Sequence, residues 1–326
     1  MTQFDRITLG RQARELGFVR DTFEKVCRLA DVLAFLENDA LLSKTLALKG
    51  GTAINLTIFD LPRLSVDIDL DYSENVPREE MLAQREIITE RIHKYMAAAG
   101  YRPSLKSKTY HALDSFVFEY VNAGGMKDNL KIEINYMLRA HVLPTTRRAV
   151  RLPWNDDELT VLSVAPIEIF ASKIVALINR TAARDLYDIS NLVKFGLFDE
   201  SEEPLLRKCV MLYAVIAADT VPERFDLSGI GKLQPYKIKT DLLPVLRHGE
   251  YFDLAVAREE TTRYLASLLR PEKDELLFWQ AFAEKKYRPE LLFAGEAEIL
   301  SRISAHPMAL WKCERSLGTK RSEPER

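Results

Sequence analysis

Cysteine is scarce in this chain. The three that occur among 326 residues, Cys27, Cys209 and Cys313, are odd in number and far apart, with no CxxC or Cys/His spacing. That argues against a disulfide framework and against a cysteine-based zinc site, and leaves reduced thiols. A basic excess is also missing: 46 Lys and Arg stand against 48 Asp and Glu, a formal net charge of -2. Any nucleic-acid surface must therefore be local. No apolar run approaches the roughly eighteen residues that suggest a membrane span, and the opening MTQFDRITLGRQ lacks an apolar signal-type region. The expectation is a cytoplasmic protein without membrane contact. Five histidines show no ligand spacing and are assigned no chemistry.

What is present is an ordinary soluble composition, 47% hydrophobic and 29% charged, with enough chain for two domains. Apolar residues at helical period predict a helix over Arg20 to Asn38, capped by Asp21 or Thr22. Leu46 to Leu48 is a short strand entering a glycine turn, Thr52 to Ile58 a brief helix, and Ser65 to Tyr72 the next strand. A helix follows from about Pro77 to near Gly100. Period-two patterns over Ser115 to Val121 and Leu130 to Leu138, joined by Asn122-Ala123-Gly124-Gly125, predict an antiparallel hairpin. Shorter strands are expected at Ala149 to Leu152 and Leu159 to Ser163. From Pro166 the chain turns helical: Pro166 to Asn179, Ala183 to Lys194 with a stop at Gly196, Glu203 to Ala217, Tyr251 to Leu269 and Asp274 to Phe282. The fold class is thus α/β (α+β), a mixed sheet with helices over residues 1–163, then a helical domain over 164–315. The charged, apolar-poor 316–326 is an expected disordered tail.

The chemistry concentrates in LALKGGTAINLTIFDLPRLSVDIDLDY, residues 46–72. Strand geometry projects Asp67 and Asp69 from one face while Ile68 and Leu70 face the core, and Asp71 adds to the acidic run. Paired hard oxygen ligands suit Mg²⁺, which takes one or two protein carboxylates and completes its shell with water and phosphate. A Gly50-Gly51-Thr52 turn opening a helix exposes backbone N–H groups to phosphates, although a plain glycine turn and an acidic strand end would look the same. Glu133 shares a strand face with Lys131 and Asn135, so it reaches the aspartates if the two strands are neighbours, and otherwise is a wet-face residue of the hairpin. Lys173 sits on an otherwise apolar helix, where it either snorkels to water or meets a phosphate. Asp185 and Asp188 share a helix face with Arg184 close by, and Arg180 precedes them. Read without other information, these four are in the first place a salt-bridged surface. Arg139, Arg147, Arg148 and Arg151 form a local basic segment, either a solvated loop or a contact to RNA phosphates.

Together these residues resemble the AbiEii/AbiGii family of nucleotidyltransferase toxins of abortive-infection and type IV toxin–antitoxin systems. The resemblance lies in Lys49-Gly50-Gly51-Thr52-Ala53, Arg63-x-Ser65-x-Asp67-Ile68-Asp69-Leu70, Lys173 with Arg180, Arg184-Asp185-Leu186-Tyr187-Asp188 and the late Arg288-Pro289-x-Leu291-Leu292-Phe293. It implies a polymerase-β-like nucleotidyltransferase domain followed by a helical domain that completes the nucleotide cleft. By the same resemblance, Asp67, Asp69, Lys173, Asp185 and Asp188 are catalytic. Lys49, Gly50, Gly51, Thr52, Ser65, Lys173 and Arg184 bind the nucleotide, and Asp67 and Asp69 hold Mg²⁺, while Glu133 is a third metal-ligand candidate from its strand position, where the chain departs from the family pattern. The implied reaction transfers NMP from an NTP to an RNA acceptor, the tRNA 3′ end, and inhibits translation. The implied partner is a cognate antitoxin of regulator type that need not touch the toxin. Two other classes remain open at this point: transfer of a nucleotidyl or glycosyl group to protein or another acceptor, and a non-catalytic nucleotide-binding interaction protein.

Overall fold

A computed structural model of the protein describes residues 4–154 and 158–314, and the expected tail at 316–326 lies outside the described residues. The strands are β1 (Leu46–Lys49), β2 (Asp67–Tyr72), β3 (Arg102–Pro103), β4 (Lys108–Thr109), β5 (Leu113–Val121), β6 (Lys127–Asn135), β7 (Thr146–Val150) and β8 (Leu159–Ser163). Among the described residues they form one mixed sheet in the order β3-β5-β6-β2-β1-β8-β7, with β4 paired to β5. The expected hairpin is β5 and β6, antiparallel, with its second strand three residues earlier than the alternation suggests. The pairing that matters most is parallel and long-range: β2 lies beside β6 with Asp69 opposite Glu133. Ile68, Leu70, Ile132 and Ile134 are fully buried, so the alternate residues of both strands carry their polar groups on the other face.

The first helices are α1 (Arg6–Leu16), α2 (Arg20–Asn38), α3 (Leu42–Thr45), α4 (Gly50–Ala53) and α5 (Arg78–Ala98). Phe23, Val26, Leu29, Leu33 and Leu36 make the buried stripe of α2, as their spacing requires. Its start differs from expectation. Val19 is the N-cap without a side-chain bond, and Asp21 pairs instead with Arg20 at 2.5 Å. After β8 come α6 (Pro166–Arg180), α7 (Ala183–Phe195) and α8 (Glu203–Ala217). Pro166 opens α6, Thr181 at φ 48° closes it, and Gly196 at φ 55° closes α7. The two residues between α6 and α7 make a sharp corner, which sets the end of one helix against the start of the next. One continuous hydrophobic cluster runs from α1 through the sheet into the helical half.

Glu168, fully buried on α6, fastens that half to the sheet by accepting from the amides of Val142 and Leu143 and from the Tyr213 hydroxyl at 2.6 Å. Nearby, His141 and His306 are buried beside Arg139. Burial, with His141 and Arg139 adding repulsion, drives the imidazole of His306 down to about 3, and burial lowers His141 against the pull of Glu168. The unfolded chain binds a proton at His306 below about 6.5, whereas the folded chain refuses it until about 3. Stability from the neutral imidazole is therefore present above about pH 6.5 and lost as the pH falls through that window. Thermal melts should show the wild type losing stability on acidification more steeply than His306→Leu; equal slopes would refute this.

Candidate active site

The site begins at Gly50. Its φ of 67° is left-handed, and a Cβ built there would lie 3.1 Å from both Cβ and Cγ of Asp69. Only glycine lets the turn after β1 pass this close to the aspartate on β2. Gly50→Ala should destabilise the protein by about 1 kcal/mol or more and lower kcat by displacing Asp69. Unchanged melting and turnover would rule out the close approach. The turn continues as α4, with no side chain capping its first residues, and then widens into a π turn over Ile54–Ile58.

The hydroxyls behind this turn are occupied. Thr52 is fully buried and donates to the Asp67 carbonyl, and it lies 3.0 Å from Ser65 Oγ. Both were expected to meet the nucleotide. Packed inside, their side chains instead pin the start of β2 to α4. Lys49 likewise spends its ammonium on Asp71, an ion pair in which Asp71 is buried. Burial raises the Asp71 carboxyl, opposed by Lys49.

Asp67 and Asp69 stand side by side as expected, and Glu133 sits next to Asp69 by register. Loss of water around Asp69 raises its pKa, and the charges of Asp67 and Glu133 raise it further, against the pull of Lys49 and Lys173. Among the described residues no cation forms an ion pair with this carboxylate, and a divalent metal held by Asp67 and Asp69 fits that need. Glu133 pairs with Lys131 at 2.9 Å. Among the described residues no group of three histidine, cysteine or carboxylate side chains is gathered for a metal. The donor set on hand is the aspartate pair, a number that suits Mg²⁺ with water and phosphate completing the shell.

The opposite wall comes from the α6–α7 corner. Lys173 on α6 lies 2.9 Å from Asp185 and 3.2 Å from Asp188. Arg180, at the end of α6, reaches Asp185 with two nitrogens at 2.6 and 3.0 Å while its side chain stays 64% exposed. Burial would raise Asp185, but Lys173 and Arg180 outweigh it and hold the carboxyl below its ordinary range. Both aspartates are buried, so what the sequence reads first as a salt-bridged surface is in fact an interior network. The charge of Lys173 is felt at Asp69, and that of Asp69 at Arg180, so the two walls share one field. Arg184 stands apart: half-buried, it forms no ion pair among the described residues and lies near Asp241.

Arg63 was not singled out as a site residue from sequence. It is 2% exposed, and its guanidinium grips Asp188 with two parallel bonds of 2.8 and 2.7 Å, donating also to the Leu64 carbonyl at 2.9 Å. One of its nitrogens lies 2.9 Å from where a Cβ on Gly51 would be. Arg63 thereby joins the glycine turn to α7 through a bidentate ion pair. The signal in the sequence was only an arginine four residues before Asp67; its partner is 125 residues away. Two arginines of the basic segment, read as a solvated loop or an RNA contact, are engaged within the protein. Arg139 is buried and donates to the Tyr136 carbonyl, and Arg147 pairs with Glu37.

Comparisons with known proteins bear on the fold and the family. The nucleotidyltransferase toxin MenT4 from Mycobacterium tuberculosis H37Rv shares the fold, with a TM-score of 0.63 and 17% identity over 93% of this chain and 99% of that one. The CdnC:HORMA-deltaN complex of E. coli MS115-1 aligns over 93% of this chain and 98% of that one at 16% identity. Its TM-score of 0.24 carries no argument. A comparison with curated proteins finds no match. The family model for the nucleotidyl transferase AbiEii toxin of type IV toxin–antitoxin systems matches residues 34–286, from the end of α2 through both walls of the site. The chain belongs to the AbiEii family of nucleotidyltransferase toxins.

Proposed function

We propose that this nucleotidyltransferase moves an NMP from an NTP to the 3′ hydroxyl of an RNA, with the tRNA 3′ end as acceptor, and so stops translation. The observation that carries the reading is the shared field: Asp69 on β2, short of a cation, faces Lys173 and Arg180 from the helical half. A nucleotide in such a cleft meets carboxylates on one side and cations on the other. Mg²⁺ held by Asp67 and Asp69 would neutralise charge at the α-phosphate and orient the attacking hydroxyl.

The chain's own groups do the rest. Backbone N–H groups of Gly50 and Gly51 lie uncapped at the start of α4 and suit phosphate oxygens. Lys173 and Arg180 balance the negative charge that builds as the acceptor oxygen bonds to the α-phosphorus and pyrophosphate departs. Asp185 and Asp188 hold those two cations in place, and Arg63 holds Asp188. Thr52 and Ser65 keep the strand bearing Asp67 against the glycine turn. Glu133 tunes Asp69 through its charge. No described helix is long and apolar enough to cross a membrane. The working partner is a cognate antitoxin that opposes the toxin without a required contact.

Expression in a growing culture followed by sequencing of tRNA 3′ ends tests this. Wild type should halt growth and leave added nucleotides on tRNA, and Asp67→Ala should do neither. Label from an NTP found in protein or glycan, with RNA untouched, would refute the reading.

A further inference from the structure

Residues 228–253 belong to no part of the mechanism above, yet they are fastened to both walls of the site. Leu64 donates its amide to the Val245 carbonyl at 2.8 Å, and Arg63 forms a β-bridge with Leu246. The Tyr187 hydroxyl bonds to Glu250 at 2.6 Å and to the Pro62 carbonyl at 3.1 Å, and its ring lies 5.5 Å from that of Phe252. This segment therefore moves with the lead-in to β2 and with α7, the elements that carry Asp67, Asp69, Asp185 and Asp188.

Its outer side is unusual. Tyr251 is 84% exposed and Tyr236 59% exposed. Rings that open to water gain little from the hydrophobic effect, so packing does not explain them. Cations are interleaved with them: Lys232, Lys239 and Arg247 are exposed, and the Lys237 ammonium lies 5.5 Å from the centre of the Tyr236 ring. Three carboxylates lie in the same stretch and each is engaged, Asp241 with Lys237 at 3.5 Å, Glu250 with the Tyr187 hydroxyl and Asp253 with the amides of Ala255 and Val256. In a chain of formal net charge -2, this stretch carries four cations, Lys232, Lys237, Lys239 and Arg247, against three carboxylates, together with two exposed tyrosine rings.

We propose that this surface docks the single-stranded end of the RNA acceptor, with bases stacking on Tyr236 and Tyr251 and phosphates meeting Lys239, Lys232 and Arg247. The inference rests on the RNA reading of the site. Stacking platforms among cations are what unpaired nucleic acid recognises. An acidic peptide would use the lysines and leave the rings unexplained.

The test is steady-state transfer of labelled NMP to total RNA by the full chain, comparing wild type, the double variant Tyr236→Ala/Tyr251→Ala, the double variant Tyr236→Phe/Tyr251→Phe, and Lys239→Ala. The alanine pair should raise the KM for RNA about tenfold or more and leave the KM for NTP unchanged. The phenylalanine pair should behave as wild type, and Lys239→Ala should flatten the salt dependence of RNA binding. A KM for RNA within twofold of wild type in the alanine pair overturns the inference while the RNA reading stands. So does a phenylalanine pair as impaired as the alanine pair, or a KM for NTP that rises in step. Wild type that labels no RNA with any NTP overturns the reading itself and the inference with it. Label entering protein, and falling in the alanine pair, would assign the surface to a protein acceptor and overturn the inference.

Discussion

Asp69→Asn is expected to lower nucleotidyl transfer by about a thousandfold or more while the metal-free protein melts no lower than wild type. The two halves of that expectation come from one cause. Asp69 is disfavoured as an anion because it has lost water and stands beside Asp67 and Glu133, with Lys49 and Lys173 only partly compensating. Asparagine keeps the shape, removes the repelled charge, and removes half of the donor pair for a divalent ion. A carboxyl whose folded pKa is raised costs the fold stability as the pH climbs from its ordinary value to that raised pKa, and the whole cost remains above it, so removing the charge costs no stability at neutral pH. Turnover with each NTP and a thermal melt in chelator read the two effects separately. Activity retained above a tenth of wild type, or a marked loss of melting temperature, would contradict this account of Asp69.

Asp188→Ala should have the opposite signature, a loss of fold as well as of activity. It strands the Arg63 guanidinium, 2% exposed, without the two bonds that neutralise it. Removing one member of a buried pair typically destabilises by about 3–5 kcal/mol, a large share of the roughly 5–15 kcal/mol that holds a domain together. It also releases Lys173, 3.2 Å away, from one of its two carboxylates. The double change Arg63→Met with Asp188→Leu should recover most of the stability, because an apolar pair leaves no buried charge, yet remain inactive. Urea midpoints at constant slope measure this. A double variant no more stable than Asp188→Ala would show that the ion pair is not what the single change disrupts.

Helices with wide apolar stripes were legible in the sequence to the residue, as α2 and α8 show, because burial of Phe23 through Leu36 and of Leu206 through Ile216 follows the helical period. Helix α1 was not, since it buries only Leu9 and Ala13 and leaves almost no stripe. Asp67, Asp69, Lys173, Asp185 and Asp188 stand out in the sequence by type and spacing, with roles given by the family resemblance; Lys173, Asp185 and Asp188 lie in one ion-pair network, and the charges of Asp67 and Lys173 act on Asp69. What sequence could not supply was long-range pairing: β2 beside β6, which brings Glu133 to Asp69, and Arg63 with Asp188. Nor could it tell an exposed hydroxyl from a packed one. Thr52 and Ser65 look like phosphate ligands in the chain, but the close contact of α4 with β2 turns them inward. Arg184 shows the converse, an arginine beside two site aspartates in sequence that takes no part in their ion pairs.

The central claim is that Asp67 and Asp69 with Lys173 form one nucleotidyltransferase site acting on RNA. Its most direct test is incubation of the purified protein with each of four NTPs labelled at the α-phosphate, total RNA and Mg²⁺, followed by separation of RNA from protein. Label in RNA 3′ ends with wild type, and none with Asp67→Ala or Lys173→Ala, is the predicted result. Label absent from RNA with every NTP, or present at equal levels with Asp67→Ala, would contradict it.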